Sequence, residues 1–485
     1  MPWRELTPVP MTRVALVARD ADLRAALVRI GDAGVVEFDR IVPPADIPVT
    51  AAARALQRLG PRDPGAMRLT GDPPDLDDLE RAGRADLLSG EVSLGETAAQ
   101  AVSRGGVSAL LGWTPAPALP ELAERLAPIG AALVPLPAPR AVQPPTATRR
   151  GATATAFAPL VDIYATVPYR DIDPTIPSGL AYAAMFGAMF GDVGHGALLV
   201  AGALLIRLGW PRWSRLSVLR PHALLIAAAG VSAMVFGLVY GECFGPTGLV
   251  GPGLVAPLDQ PVVLLVGGVA FGAVLLAGAY AIGTVNRVRE GGLALALYSP
   301  AGIAGTMLFA SAAAAVAAWY WHLGWLGLIA GLVAVVALVL AFVGLRSAAG
   351  GGGAGLAQSI VETFDLVIRL GTNVISFARL AAFGLTHAVL GLIVWEATVA
   401  LWRQGGGAVA GAILVFVVGN LLAFGLEALV AAIQALRLEY YELFSRVFRV
   451  EGRPFQPWHV PTDVAGQSNE EAPCRPGFEP SPLSV

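Results

Sequence analysis

No lysine occurs anywhere in the 485 residues; all 33 basic side chains are arginine. That excludes a nucleotide-binding loop of the G-x-x-x-x-G-K-[ST] kind, whose lysine reaches the phosphates. The Ala-, Gly- and Val-rich composition reads as a GC-rich coding sequence, so the choice of Arg over Lys carries no meaning and position must carry the argument. Cysteine is nearly absent too. Cys243 lies in an apolar segment and Cys474 in a polar tail, so neither a disulfide framework nor a C-x-x-C metal site is available. Charge is scarce: 14% of residues are charged, against about 25% in an average globular chain. The net charge of −3 singles out no class of partner.

What is present is apolar and unevenly spread. Hydrophobic residues make up 55% of the chain. Residues 1–177 hold much of the charge, and 178–445 consist mainly of apolar blocks long enough to cross a bilayer. The opening MPWRELTPVPMTRV has no apolar core of the signal-peptide type, so the first 177 residues are expected in the cytoplasm. Within them, 13–18, 21–31 and 35–38 read as strand, helix and strand, with Asp20 or Ala21 opening the helix and Gly34 in the turn after it. A short helix is expected at 50–59 and one polar helix over 76–104. Segments 108–113, 119–127 and 132–135 repeat the strand-helix-strand order, with Pro120 in the first turn and Pro128 as the stop. This gives a small α+β domain over 1–143, a linker over 144–177, a membrane domain over 178–453 and a disordered tail over 454–485.

The apolar blocks fall at about 178–208, 222–244, 261–286, 299–320, 325–346, 356–402 and 407–450. Arginine orients them. Arg207, Arg212, Arg215 and Arg220 place loop 209–221 inside; loop 245–260, with no Arg, lies outside; Arg287 and Arg289 return the chain inside, and Arg446, Arg449 and Arg453 end the last helix inside. Block 178–208 must then be a hairpin. Its middle, Gly191-Asp192-Val193-Gly194-His195-Gly196, is turn material, with Asp192 and His195 as partners that cap the turn. The expected fold is an all-α polytopic membrane domain of eight helical segments, the last two long and tilted, behind the small α+β domain. Trp319, Trp321 and Trp325 read as an interfacial belt.

Ionisable groups inside a bilayer are costly and mark function, and the last two blocks concentrate them. The first carries Glu362, Asp365, Arg369, Asn373, Ser376, Arg379, His387 and Glu396; the second carries Asn420, Glu427, Gln434, Arg437 and Glu439. At about 100° per residue, Asp365 and Ser376 share a face with Arg379, and Glu427, Gln434 and Arg437 form one stripe. Ala378, Ala381, Ala382 and Gly384 leave room for another helix to approach. A guanidinium stays protonated, so it can hold a passing carboxylate ionised and block a leak between two half-channels. Simple ion pairing of Arg379 and Arg437 with Asp365, Glu427 or Glu439 is the plainer alternative. His387 alone reads equally as a hydrogen-bonded core histidine, and Glu242 as a solvated helix end or a channel mouth.

Three segments carry a resemblance. PYRDIDPTIPSGLAYAAMFGAMFGDVGHGALLV (168–200), NVISFARLAAFGLTHAVL (373–390) and LRLEYYELFSRVFRVEGRPFQPW (436–458) resemble the P-x-Y-x-E-I-[ND]-P-T … M-F-G-D-x-G-[HY]-G, S-Y-x-R-L-x-A-L-x-L-A-H and L-R-L-x-[WY]-x-E-x-x-S-K-F segments of the V-type and A-type ATPase stator subunit, called subunit a or I. GVVEF and ALLGWTPAP resemble its cytoplasmic domain. The resemblance implies a multi-pass cell-membrane stator with cytoplasmic N-domain and C-terminus, forming two proton half-channels against a proteolipid ring and coupling proton flow to ATP hydrolysis or synthesis. Its implied partners are that ring, peripheral and central stalk subunits and lipid, with no cofactor and no nucleic acid. It puts the essential arginine on Arg379, the second on Arg437, the inner approach on Asp365, and channel positions on His387, Glu427 and Glu242, alongside Asn373, Ser376 and Gln434. Only residues 50–104 can supply the family's helical arms, and Val430 stands where a polar residue is usual. A secondary transporter with a buried Arg, or a non-conducting stator scaffold, are the alternatives; the first lacks the paired repeats such folds carry.

The topology is testable with native Cys243 and Cys474 replaced by Ser. A cysteine placed in loop 245–260 reacts with an impermeant maleimide added outside, whereas one in loop 209–221 does not; outside labelling of 209–221 overturns the assignment.

Overall fold

The computed structural model describes residues 7–40, 49–59, 69, 72–139, 142–148, 151–209, 219–251, 253–350, 352–448 and 452–460. Two compact units emerge, one built from residues up to 149 together with the segment from 452, the other from residues 150–451.

In the first unit, alternating apolar residues make strand β1 (Met11–Arg19), followed by helix α1 (Leu23–Ala33) and strand β2 (Glu37–Phe38). Asp22 stands at the start of α1, and Gly34 ends it in the left-handed conformation (φ 59°) that glycine adopts without strain. Helices α2 (Ala51–Leu59), α3 (Leu76–Arg81) and α4 (Ala85–Ala98) follow. The single helix expected over 76–104 is thus two helices and a strand, because Gly83 takes φ 68° and breaks the run. Strands β3 (Val102–Arg104) and β4 (Val107–Pro115), helix α5 (Leu119–Leu126) and strand β5 (Ala132–Leu136) complete it. The sheet is antiparallel, ordered β2-β4-β1-β5 with β3 on β4, and Arg13 faces Trp113 across the central pair. Leu16, Leu27, Ile30, Leu110 and Leu126 form its core.

The tail expected to be disordered from 454 is ordered as far as it is described. Pro454 bridges to Thr146, the Trp458 amide donates to the Val36 carbonyl at 2.8 Å, its indole donates to Ser93 at 3.0 Å, and Val460 is buried in the same core. The indole gains apolar cover and a hydroxyl acceptor together, which an Ala-, Pro- and Gly-rich stretch does not advertise. Residues 461–485 lie outside the described residues.

The second unit begins earlier than expected. Helix α6 (Ala152–Asp162) occupies the stretch read as linker, because Phe157, Leu160 and Val161 share a buried side. Helices α7 (Thr175–Met189) and α8 (Val193–Arg207), each 15 residues or about 22 Å long, flank the turn at 190–192. Both arms pack on α9 (Ala223–Tyr240). Only Gly191 belongs to the turn. Gly194 and Gly196 sit inside α8, where Phe244 and the Gly230 carbonyl leave no space for a side chain. Next come α10 (Pro261–Tyr298), α11 (Ile303–Tyr320), α12 (Gly324–Ala348), α13 (Gly352–Ser376), α14 (Ala378–Gln404) and α15 (Ala408–Leu438). A π-helical turn (Glu439–Phe444) and the short α16 (Ser445–Val447) close the unit.

Among the described residues, six helical stretches are long and apolar enough to cross a membrane, and Val193–Arg207 is a shorter apolar one. Large apolar side chains face outward: α12 buries Ala330, Ala337 and Ala341 and exposes Leu332, Val335 and Val339, the reverse of a water-soluble helix. The chain is a multi-pass membrane protein. Trp319, Trp321 and Trp325 are all exposed where α11 meets α12. The core of the unit gathers Phe186 of α7, Tyr280 of α10 and Leu438 of α15 with Phe190 of the turn and Phe377 between α13 and α14.

Arg287, expected in a loop, is instead fully buried within α10, which runs on to a kink at Gly291 and Gly292. It pairs with Glu290 at 2.8 Å and stands 3.8 Å from the equally buried Asp171, in the segment ahead of α7. Neither Asp171 carboxylate oxygen has a hydrogen-bond partner. Burial, reinforced by Glu290, pushes Asp171 from 3.8 up to about 7 against the opposing pull of Arg287. An acid raised in this way supports the fold fully below its unfolded value and loses that support as pH climbs through its folded value. Thermal unfolding in detergent should therefore show stability falling between 3.8 and about 7, with the slope reduced in Asp171→Asn. An unchanged slope in the variant removes Asp171 as its source.

Candidate functional site

The long polar block around Arg379 is not one helix. α13 ends at Ser376, and Phe377 (φ −73°, ψ −9°) interrupts the run before α14 begins at Ala378. The Phe377 ring is fully buried over Gly272 of α10, where a side chain on the glycine has no room. Arg379 therefore leaves the first turn of α14 with its side chain about one-third exposed (31%) and Nη2 3.7 Å from Glu442 Oε1. Its Nη1 is buried without a hydrogen-bond partner. Glu442 sits in the π-helical turn, a geometry rare enough in proteins to recur mainly at functional positions. Asn373 joins the same carboxylate. With its amide nitrogen turned toward Glu442 (2.9 Å) and the Arg369 carbonyl (3.0 Å), its oxygen accepts from Arg446 Nη2 at 2.8 Å. Arg446 in turn lies 5.3 Å over the Tyr280 ring. One carboxylate thus serves a permanent cation and an amide at once.

A second polar cluster lies about two turns further along α14. The His387 ring is buried and its Nδ1 hydrogen-bonds to Glu427 of α15. Its Nε2 faces Asp192 Oδ2 at 3.9 Å. Asp192, fully buried, caps α8 by accepting from the His195 amide at 2.8 Å and holds the loop after α9 by accepting from the Gly245 amide at 2.9 Å. His195 Nδ1 is 3.8 Å from Asp192 Oδ1. Glu242 is buried beside the group, just past the Gly241 turn that ends α9. Phe190, Phe244 and Phe424 line the rings. Asp192, His195 and His387 each offer one atom capable of binding a metal within 4.8 Å of the others.

Several expected residues fall elsewhere. Asp365 pairs with Arg369 at 2.5 Å on the exposed face of α13, not with Arg379: the break at Phe377 resets the helical phase, and a partner four residues on is closer. Ser376 is half-buried at the last position of α13. The α15 stripe divides, with Glu427 turned in to His387, the Gln434 carbonyl oxygen buried without a partner and Arg437 exposed. Ala381 and Gly384 admit the close helix approach expected of them, from within this unit. They are buried against Gly268 of α10 and the Ala188 carbonyl of α7, and Ala382 is the exposed one. Glu442 was not singled out from the sequence, and Arg446 only as a marker of the inner side, although both lie in the closing EYYELFSR stretch. The convergence of the 190–195 turn on His387 had no local signal, since the two are nearly 200 positions apart.

The model of the V-type ATPase 116kDa subunit family matches residues 108–249. Among curated proteins, the chain is similar to A-type ATP synthase subunit I of Archaeoglobus fulgidus, 26% identical over 414 residues (72% of this chain, 58% of the relative). It is similar to those of Aeropyrum pernix, 28% identical over 372 residues (64% and 51%), and Pyrococcus horikoshii, 27% identical over 323 residues (64% and 46%). The chain spans about half the length of the curated relatives it matches. The resemblance read from the motifs is borne out.

Replacing Glu427 by Leu leaves a buried imidazole without its acceptor. Breaking one side of a buried polar pair costs roughly 3 kcal/mol, and thermal unfolding in detergent should register a loss of that order. A shift within error says that the His387 contact does not hold α14 to α15.

Proposed function

Since this chain is a relative of the subunit I family of V- and A-type ATPases, we propose that it is the membrane stator of a rotary ATPase. In this reading it forms two proton half-channels against a rotating proteolipid ring and couples proton flow to ATP hydrolysis or synthesis, alongside central and peripheral stalk subunits. The N-terminal unit and the C-terminal segment face the cytoplasm. The observation that carries the reading is the placement of Arg379. It belongs to one polar cluster, with Glu442, Asn373 and Arg446, and stands two turns along α14 from a second, His387 with Glu427, Asp192 and Glu242. Arg379 and His387 are eight residues apart, roughly 12 Å along α14.

That arrangement has a mechanical use. A ring carboxylate entering a low-dielectric interface must be neutral unless a cation stands opposite. Desolvating an unpaired carboxylate costs several kcal/mol even after relaxation. Arg379, part-exposed and held from behind by Glu442, offsets that cost at one point of the circle, so the proton leaves there. It cannot take the proton itself, so the two clusters stay separate. His387 and Glu427 relay protons on one side. On the other, the exposed Asp365–Arg369 pair marks the approach, and Asn373, Ser376 and Gln434 line the path. Arg437, exposed two turns beyond Val430, assists the exit.

The test is ATP-driven acidification in vesicles with the assembled complex, beside a passive-leak assay. Removing about 3 kcal/mol of charge stabilisation is on the order of a 100-fold loss in rate, so Arg379→Ala should abolish coupled pumping while the complex still assembles. Arg379→Lys should be severely impaired as well, because a buried ammonium deprotonates and lacks the planar set of donors. Arg437→Ala should be milder. Near-normal coupled pumping by Arg379→Ala removes the central claim.

A further inference from the structure

We propose that Asp192, His195 and His387 form a three-ligand site for a divalent cation of the Zn²⁺ class, buried where the α7–α8 turn meets α14. Binding is a property of this chain alone and does not rest on the proton-path reading; an ion on His387 Nε2 excludes proton relay through that ring, so bound metal and relay through His387 are alternative states of the same site.

His195 is the residue that demands an explanation. It is 2% exposed, and neither of its ring nitrogens has a hydrogen-bond partner. A buried polar group left unsatisfied costs about 1–3 kcal/mol, and an imidazole always carries at least one N–H and, when neutral, one lone pair. Its ring is enclosed by Phe190, Phe244 and Phe424 at centroid distances of 5.7, 5.3 and 5.7 Å. The neighbouring Asn420 amide gives one N–H to the Phe416 carbonyl at 2.9 Å. An aromatic side chain of the same shape would fill this space without the penalty, so the nitrogens call for a ligand.

The other two ligands are already oriented. His387 engages the Glu427 carboxylate through Nδ1. When that nitrogen carries the proton, the lone pair sits on Nε2, which points at Asp192; a carboxylate behind a metal-binding histidine commonly sets the tautomer and aims the ring in this way. Each Asp192 oxygen accepts one backbone N–H, from His195 and Gly245, which fixes the carboxylate and leaves further lone pairs free.

The separations come close to those of a shared ion, with the three candidate atoms within 4.8 Å of one another. His195 Nδ1 to Asp192 Oδ1 is 3.8 Å and His387 Nε2 to Asp192 Oδ2 is 3.9 Å. These are too long for hydrogen bonds. Two atoms each about 2.1 Å from a Zn²⁺ ion lie roughly 3.4 Å apart at tetrahedral angles and at most about 4.2 Å, so small ring rotations bring all three into the shell. Two imidazoles and one carboxylate are a zinc-type donor set with a position left for water. The Glu427 carboxylate stands behind His387, on the side away from the ion.

The full chain in detergent is titrated with Co²⁺ and then Zn²⁺. One equivalent of Co²⁺ should give the visible bands of a four-coordinate ion, bleached by Zn²⁺. His195→Phe keeps the ring volume among its aromatic neighbours and should lose the bands, with binding weaker by more than roughly 100-fold, beyond what loss of an outer partner costs. Glu427→Gln should weaken binding by roughly 10–100-fold. Cys243→Ser should leave the spectrum unchanged. X-ray absorption at the zinc edge of the wild type should show nitrogen and oxygen neighbours with imidazole scattering, a readout independent of any variant. The proposal fails if the wild type binds no equivalent, if His195→Phe binds as the wild type does, or if sulfur appears in the metal shell.

Discussion

One carboxylate ties together the elements that the rest of the membrane unit is arranged around. Asp192 is fully buried, yet it caps α8 through the His195 amide, fixes the loop after α9 through the Gly245 amide and faces His387 of α14. His387 passes the connection to Glu427 of α15. A buried charge is tolerated only when its lone pairs are occupied, so each of these contacts is needed for the others to persist. The close packing around them follows. Gly196 and Gly230 let α8 and α9 meet at backbone distance, and Gly237 admits the start of α8.

A second constraint is the way helix irregularities aim charge. The interruption at Phe377 and the π-helical turn at Glu439–Phe444 come from different parts of the chain, and they bring Arg379 within 3.7 Å of Glu442. Regular helices through both places would present these side chains in other directions. The cost of each irregularity is met by packing: Phe377 is buried over Gly272, and Leu443 and Phe444 are buried in the core.

Most of the architecture was legible from residue order alone. Apolar block lengths gave the long membrane helices, and the conflict between arginine-bearing loops gave the broken 178–208 block. Strand-helix-strand order in the first 140 residues appears as β1-α1-β2 and β4-α5-β5. What stayed hidden depends on contacts between distant positions or on a phase change. Asp365 matched Arg379 only on the assumption of an unbroken helix. Ala381 and Gly384 promised a close helix approach, but composition does not say which neighbour takes it. Arg287 looked like a loop marker because its counter-charges, Glu290 and Asp171, lie one turn away and more than 100 residues back. Glu442 is an ordinary acid until the π-helical turn points it at Arg379.

The Trp458 segment has a consequence for how the protein is made. The sheet domain is synthesised first, but part of its core, Val460 and the packed Trp458 ring, is supplied by residues that leave the ribosome more than 300 positions later. Until then α1 offers an uncovered apolar patch around Gly31 to solvent. That core is therefore completed only after the described membrane helices, α7 to α15, have been translated.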